Sequence, residues 1–371
     1  RDFVEGDTVV TDTTSLLGLR HGTQVMGCVA GNLQGAYVGS GFGATFALGR
    51  TEVDATETPV EMLYWGMGAE WADSLGADLI TSSLGYFTFD DPADDYTYAD
   101  MDGRTTDVSR AAGIAAGKGI LVVNAVGNEG NTAWHYLIAP SDVFTDSLIA
   151  VGAVDQNGGV ASFSSYGPNA AGCIKPDLAA RGLSDTLVSA GGNPNLYTTG
   201  SGTSFATPLL AGLATCLLQA RPSWPPTLIA RALRETASRA TSPDNRVGWG
   251  IPDGLAVLRW DPGVAGVPAP LLRFGLRVVG PNPLRAGGVP VRVEFGLGAT
   301  SRPGTAARVR VFDAQGRRIR DLYDGAPACR STVTVSWDGR REDGSVAHPG
   351  LYLIALESGG ARRGARAILL P

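Results

Sequence analysis

The chain has 371 residues, 44% hydrophobic and 18% charged, a balance that excludes an intrinsically disordered protein and leaves room for two domains with a large core. No stretch approaches 18 unbroken apolar residues, so no transmembrane helix is expected. The net charge of −6 divides unevenly: residues from Leu271 onward hold 16 basic and 8 acidic side chains, about +8, and the preceding 270 hold 14 and 28, about −14, which predicts two domains with different surfaces.

The chain opens at Arg1 with no initiator Met and no signal pattern, and Arg1-Asp2-Phe3-Val4-Glu5-Gly6 reads like the interior of a domain, so a fragment or processed form is expected. His21 opens His21-Gly22-Thr23-Gln24-Val25-Met26-Gly27-Cys28-Val29-Ala30-Gly31. The small residues give one helix face able to pack very closely, and a lone His at a helix start usually caps it or faces solvent. Residues 78–85 read as a strand running into the loop Ser83-Leu84-Gly85. Asp90, Asp91, Asp94, Asp95, Asp100 and Asp102 then form an acidic loop without the spacing of a defined calcium loop. A solvated loop is expected, with Asp102 or Thr105 capping the next helix. A structural Ca²⁺ is the other reading.

Residues 108–118 are Ala-rich and helical, ended by Gly119. Residues 120–125 and 148–154 are short β-branched-rich runs, hence buried strands. Strand, helix, strand at this pitch implies parallel strands with crossover helices. Asn128, in Val126-Gly127-Asn128-Glu129-Gly130, follows the first of these runs and by itself reads as a turn residue. Residues 204–220 are apolar on nearly every face, as in a helix at the middle of a large domain. Pro208 fits only the first turn of that helix, which places Ser204 at its N-terminus.

The four cysteines, at 28, 173, 216 and 329, show no CxxC pair and no metal-ligand spacing with histidine. Cys28 and Cys216 lie in apolar helical runs and are expected as buried free thiols, with a disulfide between them as the alternative. His135 and His348 read as structural. Residues 261–270 turn to Pro, Gly and Ala, a linker. Beyond it the period becomes two, at 291–295 and 308–312, with turns at Asp313-Ala314-Gln315-Gly316 and Glu342-Asp343-Gly344. Residues 271–371 are therefore expected as a small β-sandwich. Its arginines alternate with apolar residues, as on an exposed sheet face. With no aromatic platform or basic helix beside them, no nucleic-acid partner is expected.

Taken together, the His21, Asn128 and Ser204 frames resemble the HGTxVxG, AxGNxG and GTSxATP segments of the subtilisin-like serine peptidases, the subtilases, in the family's order. Lys175-Pro176-Asp177-Leu178 and Gly248-Trp249-Gly250-Ile251-Pro252-Asp253 resemble further segments of that family. The match spans about residues 20–258. It implies a three-layer α/β fold with a mostly parallel sheet over residues 1–260, and hydrolysis of polypeptides through an acyl-enzyme, without a catalytic metal and with no cofactor required. Ser204 would be the nucleophile, His21 its base, and the Asn128 side chain with the Ser204 N–H the oxyanion donors. Ser83-Leu84-Gly85 and Ala125-Val126-Gly127 would flank the bound peptide as neighbouring strands, their small residues leaving room for a side chain.

One member of the triad has no counterpart in its usual place. The family carries an Asp in a D-T/S-G strand end well upstream of the His; Asp12 lies nine residues before His21, too close, and no Gly follows as expected. Asp12 is therefore read as a loop residue, the orienting Asp is expected upstream of Arg1, and this chain alone is expected to be nearly inactive. Gln24 and Arg181 also depart from the family pattern, at positions without a triad role. Pro281-Asn282-Pro283, residues 311–317, residues 335–339 and Gly350-Leu351-Tyr352 resemble FlgD-type immunoglobulin-like modules at the C-termini of secreted bacterial proteins. That implies a secreted or cell-surface location and contact with a cell surface or secretion machinery. The alternative is an inactive pseudopeptidase that binds proteins or surfaces.

Overall fold

Alternation of side chains along short apolar strands determines the layering of the first unit. The computed structural model describes residues 1–11, 16–190, 196–261, 274–297, 305–327 and 333–371. They divide into two units, Arg1–Val264 and Ala265–Pro371. The first contains, in order, α1 (Leu16–Ala30), β1 (Asn32–Leu33), β2 (Tyr37–Val38), α2 (Val60–Leu75), β3 (Leu79–Ser82), α3 (Asp107–Gly117), β4 (Leu121–Ala125), β5 (Leu148–Val154) and β6 (Leu178–Arg181). After these come β7 (Asp185–Val188), β8 (Tyr197–Gly200), α4 (Thr203–Ala220), α5 (Pro226–Glu235) and α6 (Gly254–Arg259).

Strands β3, β4, β5 and β6 lie side by side in that order, all parallel. Successive residues of a strand point to opposite faces. Leu121, Val123, Ile149, Val151 and Leu178 join Leu210, Ala214 and Leu217 of α4 and Ile229 and Leu233 of α5 in one buried cluster. Val122 and Leu148 face the other way, onto Met62, Trp65 and Ala69 of α2 and Val108, Ala112 and Ala115 of α3. Helices thus cover both faces of the sheet, the three-layer α/β arrangement that the family resemblance implied. Full burial of each such Val, Ile or Leu contributes about 1.5–3 kcal/mol, so the sheet is a stiff platform for the loops at its strand ends. Helix α4 is long and apolar enough to cross a membrane, yet more than half of it is buried, and it packs across β3 to β6.

Three local expectations change. Helix α3 is capped by Thr106, whose side chain accepts the Ser109 N–H, and not by Asp102 or Thr105. Asp102 instead accepts the Arg104 and Thr105 N–H groups in the preceding turn. Helix α1 begins at Leu16, so His21 sits in its second turn and not at its start. Cys28 is a buried free thiol, whereas Cys216, also free, is only half-buried, its thiol donating to the Ser40 carbonyl at 3.1 Å.

The second unit contains β9 (Phe274–Val279), β10 (Leu284–Arg285), β11 (Val291–Leu297), β12 (Ala307–Asp313), β13 (Arg318–Gly325), β14 (Val333–Trp337), β15 (Gly350–Ser358) and β16 (Ala361–Leu370). They form a five-stranded sheet, β10-β16-β15-β12-β13, and a three-stranded sheet, β14-β11-β9. Val291, Val293 and Phe295 from one sheet share a cluster with Val309, Val311, Ile354 and Leu356 from the other. Gly316 lies at φ +80°, the left-handed conformation its turn requires. Of the expected linker, residues 262–270 lie outside the described residues.

Candidate active site

Helix α4 starts abruptly because Gly202, the residue before it, has a backbone at φ 161° and ψ 151°. The first turn of a helix leaves its N–H groups without intrahelical acceptors. Here the Thr203 N–H goes to Asn128 Oδ1 at 2.9 Å, and the Phe205 N–H to the Gly202 carbonyl at 3.1 Å. The Ser204 N–H between them has no acceptor among the described residues. Ser204 itself is only 8% exposed. Its hydroxyl donates a long bond of 3.4 Å to the Ser83 carbonyl, and the Ser83 hydroxyl donates to the Ser204 carbonyl at 2.8 Å.

Asn128 follows Gly127, whose φ of +105° turns the chain away from the end of β4. Its Oδ1 accepts from both the N–H and the hydroxyl of Thr203, at 2.9 and 3.1 Å. That fixes the amide so that Nδ2 is the free end, and Nδ2 has no acceptor among the described residues. Two unspent donors, the Ser204 N–H and Asn128 Nδ2, therefore belong to residues that line one cavity with the Ser204 hydroxyl.

His21 is carried by α1, which packs against α4 and β7. Its ring lies 6.2 Å from that of Phe205, the residue after Ser204. Burial lowers its pKa from the ordinary value, which favours the neutral imidazole a base must be. Among the described residues no hydrogen bond joins His21 to Ser204 or to any carboxylate. Asp12 lies outside the described residues.

Ser83, Leu84, Gly85, Ala125, Gly127, Asn128, Thr203 and Ser204 line one cavity of about 230 Å³. Val126 does not line it: fully buried, it spends its N–H on the Val151 carbonyl and its own carbonyl on the Ile138 N–H. The glycines here leave less room for a substrate side chain than their size implied. A Cβ on Gly85 would meet Ile138 at 2.7 Å, and one on Gly127 would meet it at 3.0 Å, so both glycines admit Ile138, which itself lines the cavity. Glu52 and Glu57, from the segment before α2, complete the lining. Ile138, Glu52 and Glu57 lie outside the sequence frames, and Thr203, inside the Ser204 frame, had been given no role. Thr203 alone carried a local signal, as the residue before Ser204.

The remaining matched segments hold the platform. Asp177, buried at the start of β6, accepts from Lys175 Nζ at 2.6 Å, Arg234 at 2.9 Å and the Ala150 N–H at 2.9 Å. Gly248, at φ +62°, lies so close to residues 176 and 177 that a Cβ would come within 2.3 Å of their carbonyls. The acidic loop is bound up in its own turns: Asp91 accepts the Ala93 N–H, Asp95 the Phe89 N–H and Asp100 the Thr97 N–H. No group of three or more His, Cys, Asp or Glu among the described residues is placed to hold a metal ion.

The family model described as the subtilase family, Peptidase S8, matches residues 2–250. Subtilisin BL of Lederbergia lenta is 31% identical over 257 residues, 69% of this chain and 82% of that protein. Subtilisin DY of Bacillus licheniformis is 32% identical over 240 residues, 64% of this chain and 75% of that protein. Among solved structures, the prenylagaramide maturation protease PagA superposes with a TM-score of 0.53 at 24% identity, covering 65% of this chain and 81% of its own. MycP1 from Mycobacterium smegmatis does so with 0.54 at 21% identity, covering 70% and 74%. The family match and the site geometry coincide in one region of the first unit, and the chain belongs to the subtilase family of serine peptidases.

Proposed function

We propose that the chain is a serine endopeptidase that cleaves polypeptides through an acyl-enzyme on Ser204. The carrying observation is the pair of unspent donors, the Ser204 N–H and Asn128 Nδ2, on two residues that line one cavity at the N-terminus of α4. Negative charge developing on the carbonyl oxygen of a tetrahedral intermediate needs such donors in place before the reaction, and the helix dipole favours it at the same point. His21, whose neutral form burial favours, takes the serine proton and returns it to the leaving amine. The Leu84 and Gly85 N–H groups, free of backbone partners among the described residues, are available to pair with an extended peptide, so the Ser83–Gly85 segment is the better candidate for the neighbouring strand. The second unit, with its two facing sheets, fits an immunoglobulin-like module of the FlgD type that attaches the enzyme to the export route or the cell surface.

A fluorophosphonate probe tests the nucleophile directly. Covalent labelling that disappears in Ser204→Ala is the expected result. No labelling of the parent chain even on prolonged exposure to excess probe, which detects a serine whose base lacks an orienting carboxylate, or labelling that persists in Ser204→Ala, overturns the reading.

A further inference from the structure

We infer that Glu52 and Glu57 make the cavity beside Ser204 selective for a peptide carrying a cationic side chain, lysine or arginine, on the acyl side of the scissile bond. This rests on the peptidase reading and names the substrate class that reading leaves open.

Both carboxylates line the same cavity as Ser83, Leu84, Gly85, Asn128 and Ser204. Glu52 is held in place: its Oε1 accepts from the Tyr86 hydroxyl at 2.6 Å and the Thr51 hydroxyl at 2.9 Å. Its second oxygen has no donor among the described residues, and neither oxygen of Glu57 has one. Among the described residues no cation pairs with either. The neighbouring acids have a different role. Glu61 is 1% exposed, and its two oxygens accept the Val53 and Thr58 N–H groups at 2.6 and 3.0 Å. Asp90 accepts the Glu57 N–H at 3.2 Å. Glu61 and Asp90 thus fold the segment, and Glu52 and Glu57 are left facing the cavity with their charge unspent.

Such an arrangement disfavours an anionic or purely apolar occupant. Burial pushes the Glu52 carboxyl up to about 7, with the charge of Glu61 adding to it. Desolvation, then the charges of Glu61, Glu52 and Asp90, push Glu57 up to about 7 as well. A cation between them removes that strain. Leu84, Ala125 and Ile138 give the lining an apolar part, beside the polar Ser83, Asn128, Thr203 and Ser204. A lysine or arginine matches both parts, its methylene stem against the apolar wall and its head on the carboxylates. A bare metal ion would find only these two acids, with no third ligand among the described residues.

The test uses peptidyl diphenyl phosphonates, which label an activated serine, with lysine or its uncharged isostere norleucine placed in turn at each of the four acyl-side positions. At one position lysine labels Ser204 faster than norleucine by about tenfold or more, as for a charge-assisted hydrogen bond. Glu52→Gln and Glu57→Gln, which keep shape and hydrogen-bonding oxygen, each reduce that ratio, and the double variant brings it close to one. A second readout needs no substitution. In the parent chain the lysine-to-norleucine ratio rises from pH 6 to pH 8 as the two carboxyls ionise; Glu61, Asp90 and Tyr86 are the other titratable groups beside them. Equal labelling by both probes at all four positions, a preference that survives the double variant, or a ratio flat across that pH range overturns the inference. Where a simple fluorophosphonate still labels Ser204, the peptidase reading stands. Where it does not, both fall together.

Discussion

Asn128 can serve an oxyanion in one orientation only. Both donors of Thr203 converge on its Oδ1, so a flipped amide would set NH₂ against N–H and O–H. Two substitutions separate this from a merely structural role. Asn128→Leu removes the donor and lowers turnover of a peptide anilide by about 10²–10³ with little change in KM, the magnitude known for an oxyanion-hole asparagine in a subtilisin. Asn128→Asp keeps the bonds to Thr203 but turns an acceptor toward the developing negative charge, and costs more than the leucine. Equal losses would mean that Nδ2 does not face the reacting carbonyl. Asn128 was legible in the sequence because its glycine-rich frame is local. Thr203 as its clamp was not, since that contact joins the loop after β4 to the start of α4. Glu52 and Glu57 were less legible still. They stand in an ordinary polar stretch, and only the bonds of Glu61 and Tyr86, made in three dimensions, bring them beside Ser204.

At the scale of an element, α1 determines where the base stands, and its position depends on one glycine. A Cβ on Gly27 would lie 2.6 Å from Val188 Cγ2 in β7, whereas one on Gly22 would meet nothing within 4 Å. Alanine is favoured over glycine inside a helix by about 1 kcal/mol, so Gly22→Ala is expected to raise the melting temperature slightly or leave it unchanged. Gly27→Ala gains the same propensity but pushes α1 off β7, an overpacking cost of about 1–3 kcal/mol, and displaces His21. It is expected to lower both the melting temperature and the fluorophosphonate labelling rate. Equal stability of the two variants would show that the helix yields at Gly27 without cost. The interior of the elements was readable for the same reason that they are buried: the apolar runs of β4, β5 and α4 mark them at once. Their starts were not, because tertiary contacts decide them. Thr106 caps α3 because its hydroxyl and that of Ser109 join a buried chain to Asp142, and nothing within the acidic loop announces a partner so far along the sequence.

At the scale of the whole molecule, the two units close separate cores, one on the parallel sheet and one between the C-terminal sheets. The charge excess of the second unit does little to hold it together. Arg277 pairs with Glu294, Arg308 with Asp324, Arg310 with Glu357 and Arg320 with Asp338, and exposed pairs of this kind contribute about 0–1 kcal/mol each. Stability must come from the apolar cluster, with Trp337 at its centre: fully buried, edge-on to Tyr352 at 4.8 Å, and donating its indole N–H to the Arg340 carbonyl at 2.9 Å. A fragment of residues 265–371 is therefore expected to fold alone, with a β-type circular dichroism spectrum and one cooperative thermal transition. In that fragment Trp337→Ala leaves a large cavity and an unsatisfied carbonyl, costing about 3–5 kcal/mol, most of what a domain with the usual 5–15 kcal/mol at the low end possesses. The transition should then move below ambient temperature or disappear. A fragment that shows no transition before the substitution would mean that the second core needs the first unit to form.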